Sequence, residues 1–287
     1  MIIVLNRKRL ILSVIAIFIA ALCASLAFYS IPTAAEVKGV SLPIIMYHGL
    51  CPDKERQNKY IIDPSYFEED LIYLKEQGYE TVLLREVIDH FKKGTPLPEK
   101  PVLLTFDDGY MNNYTYAYPL LQKYSAKAVI SPIAAETDKE DNNLYRDSRW
   151  SQCSWDELKE MSDSGLVEIE NHTYDLHNIS DNVRGAAIAK GENEQDYEKR
   201  LKADLSDANK RIERHIGKAA NAFVYPYGAK SETTEEIVKS MGFEAILDCE
   251  NKINILSSPD DLYHLHRFIR TDNISVYSLD IRGWKII

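Results

Sequence analysis

Short apolar runs alternate with segments of helical periodicity along most of this chain, and that alternation restricts its fold more than any other feature. "PIIMYH" (residues 43–48) reads as a strand ending on His48. Asp63 before Pro64 reads as a helix N-cap with proline at the first helical position. Phe67, Leu71 and Leu74 mark one helical face, and Gly78 closes it. "TVLL" (81–84) is a strand and "REVIDHFKKG" (85–94) a helix. "VLLTF" (102–106) is a strand, "YAYPLLQKY" (116–124) is helical, and "KAVISPI" (127–133) is again a strand. "SWDE" (154–157) is a capping box opening a helix that runs to Gly165. "VEIENHT" (167–173) is a strand, and the polar stretch 178–194 is expected to form a loop or lid. A long charged helix follows from about residue 195 to 215, then the strand "AFVYPYG" (222–228), the helix "TEEIVKSMG" (234–242) and the strand "EAILDC" (244–249). "YHLHRF" (263–268) alternates as a strand would. Repeated about six or seven times, this pattern implies an α/β chain with a parallel sheet, better accommodated by one barrel than by two small domains.

The strand "VLLTF" ends on two adjacent carboxylates, Asp107 and Asp108, followed by Gly109. One aspartate there would be an ordinary N-cap. Two repel each other and, in a partly dry site, need a cation or a shared proton. "ENHTYDLH" (170–177) offers the means to hold a cation, since His172 and His177 stand five apart at another strand end. Two histidines at that spacing are, alone, commoner as packed or surface groups than as ligands. With Asp108 they make a His-His-Asp donor set suited to zinc or another first-row divalent ion such as cobalt or nickel, with positions left open for water and substrate. One aspartate then ligates while the other stays ionised as a base. All these motifs sit at carboxyl ends of strands, the edge on which α/β sheets and barrels build sites.

The excess of 44 acidic over 34 basic residues argues against nucleic acid as a partner, because phosphate backbones need a basic footprint. Tyrosine is abundant, but it packs well in ordinary strands and does not by itself argue a sugar platform. Arg7, Lys8 and Arg9 precede an uncharged run, residues 10–28, nearly long enough for a hydrocarbon core of roughly 30 Å. Basic residues ahead of such a run hold the N-terminus in the cytoplasm. The run exceeds the usual signal-peptide core of about 7–15 residues, so it reads as an uncleaved anchor, with "PTAAE" (32–36) as the cut site of the competing signal-peptide reading. The expected organisation is residues 1–33 as basic end and membrane segment, 34–41 as tether and 42–287 as an extracytoplasmic catalytic domain. Cys23 lies in the apolar run, and Cys51, Cys153 and Cys249 are too widely spaced for a disulfide framework or a CxxC knuckle.

"TFDDGY", "HTYDLH" and "YPYG" resemble the first three motifs of the polysaccharide deacetylases, the carbohydrate esterase family 4 proteins with a NodB-homology domain. "PIIMYHGL" resembles the opening strand of the branch that deacetylates poly-N-acetylglucosamine, where the acid histidine comes from the N-terminal side. The resemblance implies a distorted (β/α) barrel of about seven units. It implies Asp108, His172 and His177 as metal ligands, Asp107 as the base and His48 as the acid. The backbone N–H of Tyr110 would meet the oxyanion, and Tyr225, Pro226 and Tyr227 would form the wall beneath the acetyl group. The implied substrate is an N-acetylated polysaccharide, poly-N-acetylglucosamine or peptidoglycan, and a monomer is expected. Two departures stand out. The third motif has Phe223, Val224 and Tyr225 where the family usually carries an arginine bracing the catalytic aspartate, and the usual C-terminal acid-histidine segment is replaced by "YHLHRF" with His264 and His266. Other readings are an O-acetyl polysaccharide esterase and a silent glycan-binding module; the complete set of base and ligands argues against silence.

Overall fold

The computed structural model describes residues 39–141 and 143–279. Residues 1–38 make up one unit and Gly39–Ile287 the other, and every element below belongs to the second. The basic end, the apolar run and the tether up to residue 38 lie outside the described residues. Among the described residues no helix is long and apolar enough to cross a membrane.

In chain order the strands are β1 (Val40–Leu42), β2 (Ile44–Tyr47), β3 (Gly49–Leu50), β4 (Ile61–Ile62), β5 (Glu80–Val82) and β6 (Pro101–Asp108), then β7 (Ala128–Pro132), β8 (Val167–Ile169), β9 (Ala222–Val224), β10 (Ala245–Leu247), β11 (Asn254–Leu256) and β12 (Phe268–Ile269). The main sheet runs β12-β2-β6-β7-β8, with β5 also on β6, and every pairing in it is parallel. Strands β9 and β10 pair parallel beside it, joined by the single bridges Asn171↔Phe223 and Leu247↔Leu265. The sheet is thus an α/β sheet continued by two weakened junctions, a pattern consistent with a distorted barrel. Strand β1 pairs antiparallel with β11, so Val40 and Ser41, expected in the tether, already belong to the sheet structure.

All eight residues of β6 are buried, as a parallel strand covered on both faces requires. Its side chains alternate between two cores. Val102, Leu104 and Phe106 join Ile45, Tyr47, Phe67, Leu121 and Trp155 in a helix-facing cluster. Leu103 joins Ile44, Val129, Val224, Leu247 and Leu265 in an inner one. The same period of two aims Thr105 and Asp107 inward with Leu103, and Arg267 inward with Leu265. Tyr47, Phe67 and Phe106 anchor the outer core with ring centroids 5.1–5.3 Å apart. Such aromatic pairs add about 0.5–1.5 kcal/mol each beyond burial.

The helices largely follow their sequence signals. Asp63 caps Pro64–Glu76 by accepting from the Ser65 N–H, and Ser154 caps Trp155–Asp163 through the predicted capping box. Among the segments that differ from expectation are an additional helix, Ala134–Glu140, strands that stop at Ile169 and Val224, and two segments shaped by proline. The helix Tyr118–Tyr124 is preceded by one wide π turn, Asn113–Ala117, next to Pro119, which has no N–H to give the preceding turn. Residues 263–268 are not a continuous strand. Pro259 opens a 3-10 helix, Pro259–His264, and only Phe268–Ile269 pairs as β12.

Candidate active site

The strand ends are shaped for close approach. Asp108, Thr173 and Tyr227 all take positive φ (69°, 77° and 59°), three of the four non-glycine residues that do so among those described. One comes from each expected motif, and residues held in such sparsely populated backbone regions cluster at functional sites. Gly109 follows Asp108 with φ 76°, and a Cβ there would come within 2.7 Å of Pro132 Cβ. Only glycine fits the turn that swings the chain away from β6.

These turns bring Asp107, Asp108, Tyr110, His172, His177, Tyr227 and His48 onto one cavity of about 410 Å³. The donor atoms of Asp108, His172 and His177 lie within 4.8 Å of one another. Asp108 Oδ1 is 3.5 Å from His172 Nε2 and 3.2 Å from His177 Nε2, and has no hydrogen-bond partner although buried. The outer nitrogen of each imidazole is engaged elsewhere. His172 Nδ1 donates to the Val224 carbonyl at 2.8 Å. Tyr227 donates its hydroxyl proton to the His177 carbonyl, so its oxygen accepts from His177 Nδ1 at 2.9 Å. Both Nε2 lone pairs therefore face the Asp108 oxygen, and three acceptors pointed at one another require a cation between them. Without a metal ion a proton serves: burial works against charge on His172, but Asp108 and Asp107 together more than offset it and hold the imidazole above its ordinary value. The donor set fits a divalent ion.

The loop between the two histidines is pinned from behind. The N–H groups of Tyr174 and Asp175 donate to the two oxygens of Asp204, at 2.8 and 2.9 Å, on the helix Glu194–Ile216. The Thr173 N–H donates to Asn171 Oδ1.

Asp107 has the partner that the third motif lacks. Arg267 Nη1 and Nη2 donate to its two oxygens at 2.6 and 2.9 Å, a two-pronged contact buried on both sides. Burial alone would raise the Asp107 carboxyl, but the Arg267 guanidinium and His172 hold it below its usual range, so it rests ionised. Arg267 Nε donates to the Asp248 carbonyl, and its other neighbours are Thr105 Oγ1 and Cys249 Sγ. The available signal was a cation set among apolar residues in "HRFIR", which burial obliges to find a carboxylate.

His48 follows β2 with its Nδ1 buried and unpartnered, its ring 4.9 Å from that of Tyr60. Burial lowers its pKa, with Asp107 and Asp108 pulling the other way. Tyr110 lines the cavity, and burial and the charge of Asp108 push its phenol well above the ordinary value. Of the expected wall only Tyr227 reaches the cavity. Tyr225 is buried instead against Phe223, 4.8 Å between centroids, and Pro226 packs on Gly185. The three residues part because Tyr225 continues β9 while Pro226 opens a 3-10 turn. His264 lies at the surface near Glu235, and His266 packs against Asp248. Neither lines the cavity.

A family model described as polysaccharide deacetylase matches residues 94–246. This chain belongs to the polysaccharide deacetylase family. It is 27% identical over 236 residues to the poly-beta-1,6-N-acetyl-D-glucosamine N-deacetylase of Escherichia coli K12, covering 76% of this chain but only 35% of that protein. It is 30% identical over 221 residues to the protein of the same name from Staphylococcus aureus N315, covering 77% of this chain and 71% of that one. Among solved structures, a de-N-acetylase from Aggregatibacter actinomycetemcomitans superposes with a TM-score of 0.73 at 28% identity, over 84% of this chain and 98% of that one. IcaB from Ammonifex degensii superposes at 0.68 and 29%, over 82% and 94%. Polysaccharide deacetylases are metal-dependent, and the cluster Asp108, His172 and His177 is the candidate site for that ion here.

Proposed function

We propose that this protein is a metal-dependent N-deacetylase that removes acetyl groups from an N-acetylated surface polysaccharide, with poly-β-1,6-N-acetylglucosamine first among the candidates. The observation that carries the reading is the pairing of a clamped, ionised Asp107 with an adjacent three-acceptor cluster around Asp108. A divalent ion held by Asp108, His172 and His177, zinc by the donor chemistry, would supply Lewis acidity toward the attacking water and the acetyl oxygen. Asp107 takes a proton from that water, its free electron pairs aimed by the guanidinium behind it. The water oxygen bonds to the carbonyl carbon. The Tyr110 N–H donates to no protein group among the described residues, which leaves it for the developing oxyanion. His48 then gives a proton to the sugar nitrogen as the C–N bond breaks, leaving acetate and a free amine. A His48 ring kept neutral by burial must first take up that proton, and Asp107, whose charge it feels, is a source within the same cavity. The open cavity, with Tyr227 on its wall, suits a chain segment rather than a closed small molecule.

The names of the E. coli and S. aureus relatives support the substrate class. The organisation we propose places the catalytic domain, from residue 39 onward, outside the cytoplasm as a monomer, tethered through residues 10–28. Incubating the zinc-loaded full chain with β-1,6-linked N-acetylglucosamine oligomers should release acetate, with little from acetylated xylan. Acetate from the xylan alone would make the protein an ester hydrolase.

A further inference from the structure

Two cations line the cavity without a role in the reaction, Lys59 and Arg184. They come from loops far apart in the chain. No carboxylate pairs with either among the described residues, although most charged side chains near the site are clamped. Each lies instead over a tyrosine ring. Lys59 Nζ is 5.2 Å from the Tyr60 centroid, and the Arg184 guanidinium carbon is 5.6 Å from that of Tyr227. Those two rings rest on His48 and His177 respectively, so each cation is stacked outside a group of the reaction site.

Both loops are held. Asn58 Oδ1 accepts from the N–H groups of Tyr60 and Ile61, and the Gly49 N–H donates to the Tyr60 carbonyl. Ile179 and Arg184 pair across a tight turn. Gly185 presses on Pro226 so closely that a Cβ there would come within 2.6 Å of the Pro226 carbonyl oxygen.

The charge balance then has a direction. Among the charged side chains that line the cavity, Asp107 is matched by Arg267 and a dication held by Asp108 would more than match that carboxylate, which leaves the two rim cations as the unmatched charges although the chain as a whole is at −10. The reaction turns a neutral acetamide into an amine that is protonated in water. We propose that Lys59 and Arg184 make this site discriminate against glycan segments already carrying a free amine beside the reacting unit, so that acetyl groups are removed at spaced positions rather than in runs. The proposal rests on the deacetylase reading and adds to it a preference between substrates.

The test uses two β-1,6-linked pentasaccharides, one fully N-acetylated and one with glucosamine at a single internal position, with kcat/KM followed by acetate release. At about 0.01 M salt the acetylated chain should be preferred roughly threefold to tenfold, the scale expected of partly screened charges. The preference should shrink toward unity near about 0.5 M salt. It should also vanish in the Lys59→Gln, Arg184→Gln double variant and persist in Lys59→Arg, Arg184→Lys. Turnover without discrimination, or a preference unchanged in the glutamine variant, overturns this proposal alone. No acetate from either oligomer overturns the deacetylase reading and this proposal with it.

Discussion

Replacing Arg267 by lysine keeps a cation beside Asp107 but removes the two-pronged contact that aims it. Turnover is expected to fall about 10- to 100-fold, the range for a partner that orients a reacting group, with bound metal unchanged. The guanidinium now offsets burial and holds the Asp107 carboxyl low, so weakening it raises that pKa. The acidic limb of kcat/KM should therefore move to higher pH. An unmoved limb beside near-normal turnover would show that Asp107 needs no such brace. At this scale the sequence was legible where the chemistry is local. Adjacent aspartates and a closely spaced histidine pair announce themselves, because their charges and lone pairs need something to answer them. Arg267 did not, since 160 residues separate it from Asp107 and only the inward parity it shares with Leu265 brings the two together. Tyr225 and Pro226 misled for the opposite reason. A motif was read as one wall, whereas Tyr225 is extended and buried, Pro226 opens a 3-10 turn, and only Tyr227 lines the cavity.

The helix Glu194–Ile216 braces the histidine loop through Asp204, whose carboxylate receives two of that loop's N–H groups. Burial pushes the Asp204 carboxyl up to about 6, against those hydrogen bonds. A carboxyl raised in the folded state binds its proton more tightly there than in the unfolded chain. Its contribution is thus fully present below about pH 4 and is lost as pH rises through about 6. Asp204→Asn should remove that slope. From pH 4.5 to 7 the wild type should lose up to about 2 kcal/mol relative to the variant, an order-of-magnitude figure. Denaturant unfolding at the two pH values checks this, and parallel pH profiles for the two proteins would refute it. Long helices and buried strands were readable from their periods. The 3-10 segment Pro259–His264 was not, because Tyr263-His264-Leu265-His266 alternates as a strand does while Pro259 and the cap at Ser258 govern the backbone.

At the scale of the whole molecule, strand and helix alternation made the parallel sheet legible. How its ends meet was beyond it, since single bridges at Asn171 and Leu247 leave no run of residues to read. Strand β12 is locked beside β2 by buried ion pairs on both flanks, Arg267 with Asp107 and Arg270 with Asp70. Strand β1 is held by β11 from Val40 onward. A chain starting at residue 36 retains every one of these contacts, and it should be soluble and as active as the full protein; an inactive or aggregated product would mean that the first 35 residues contribute to the fold. The central claim is a division of labour between two neighbouring carboxylates. It is tested most directly by measuring bound zinc and acetate release together in Asp107→Asn and Asp108→Ala. The account predicts that the Asp107 variant keeps about one equivalent of metal and loses turnover by at least about 10²-fold, whereas the Asp108 variant loses the metal itself. An Asp107 variant with near-normal turnover at saturating zinc, or an Asp108 variant that still binds the ion tightly, would contradict it.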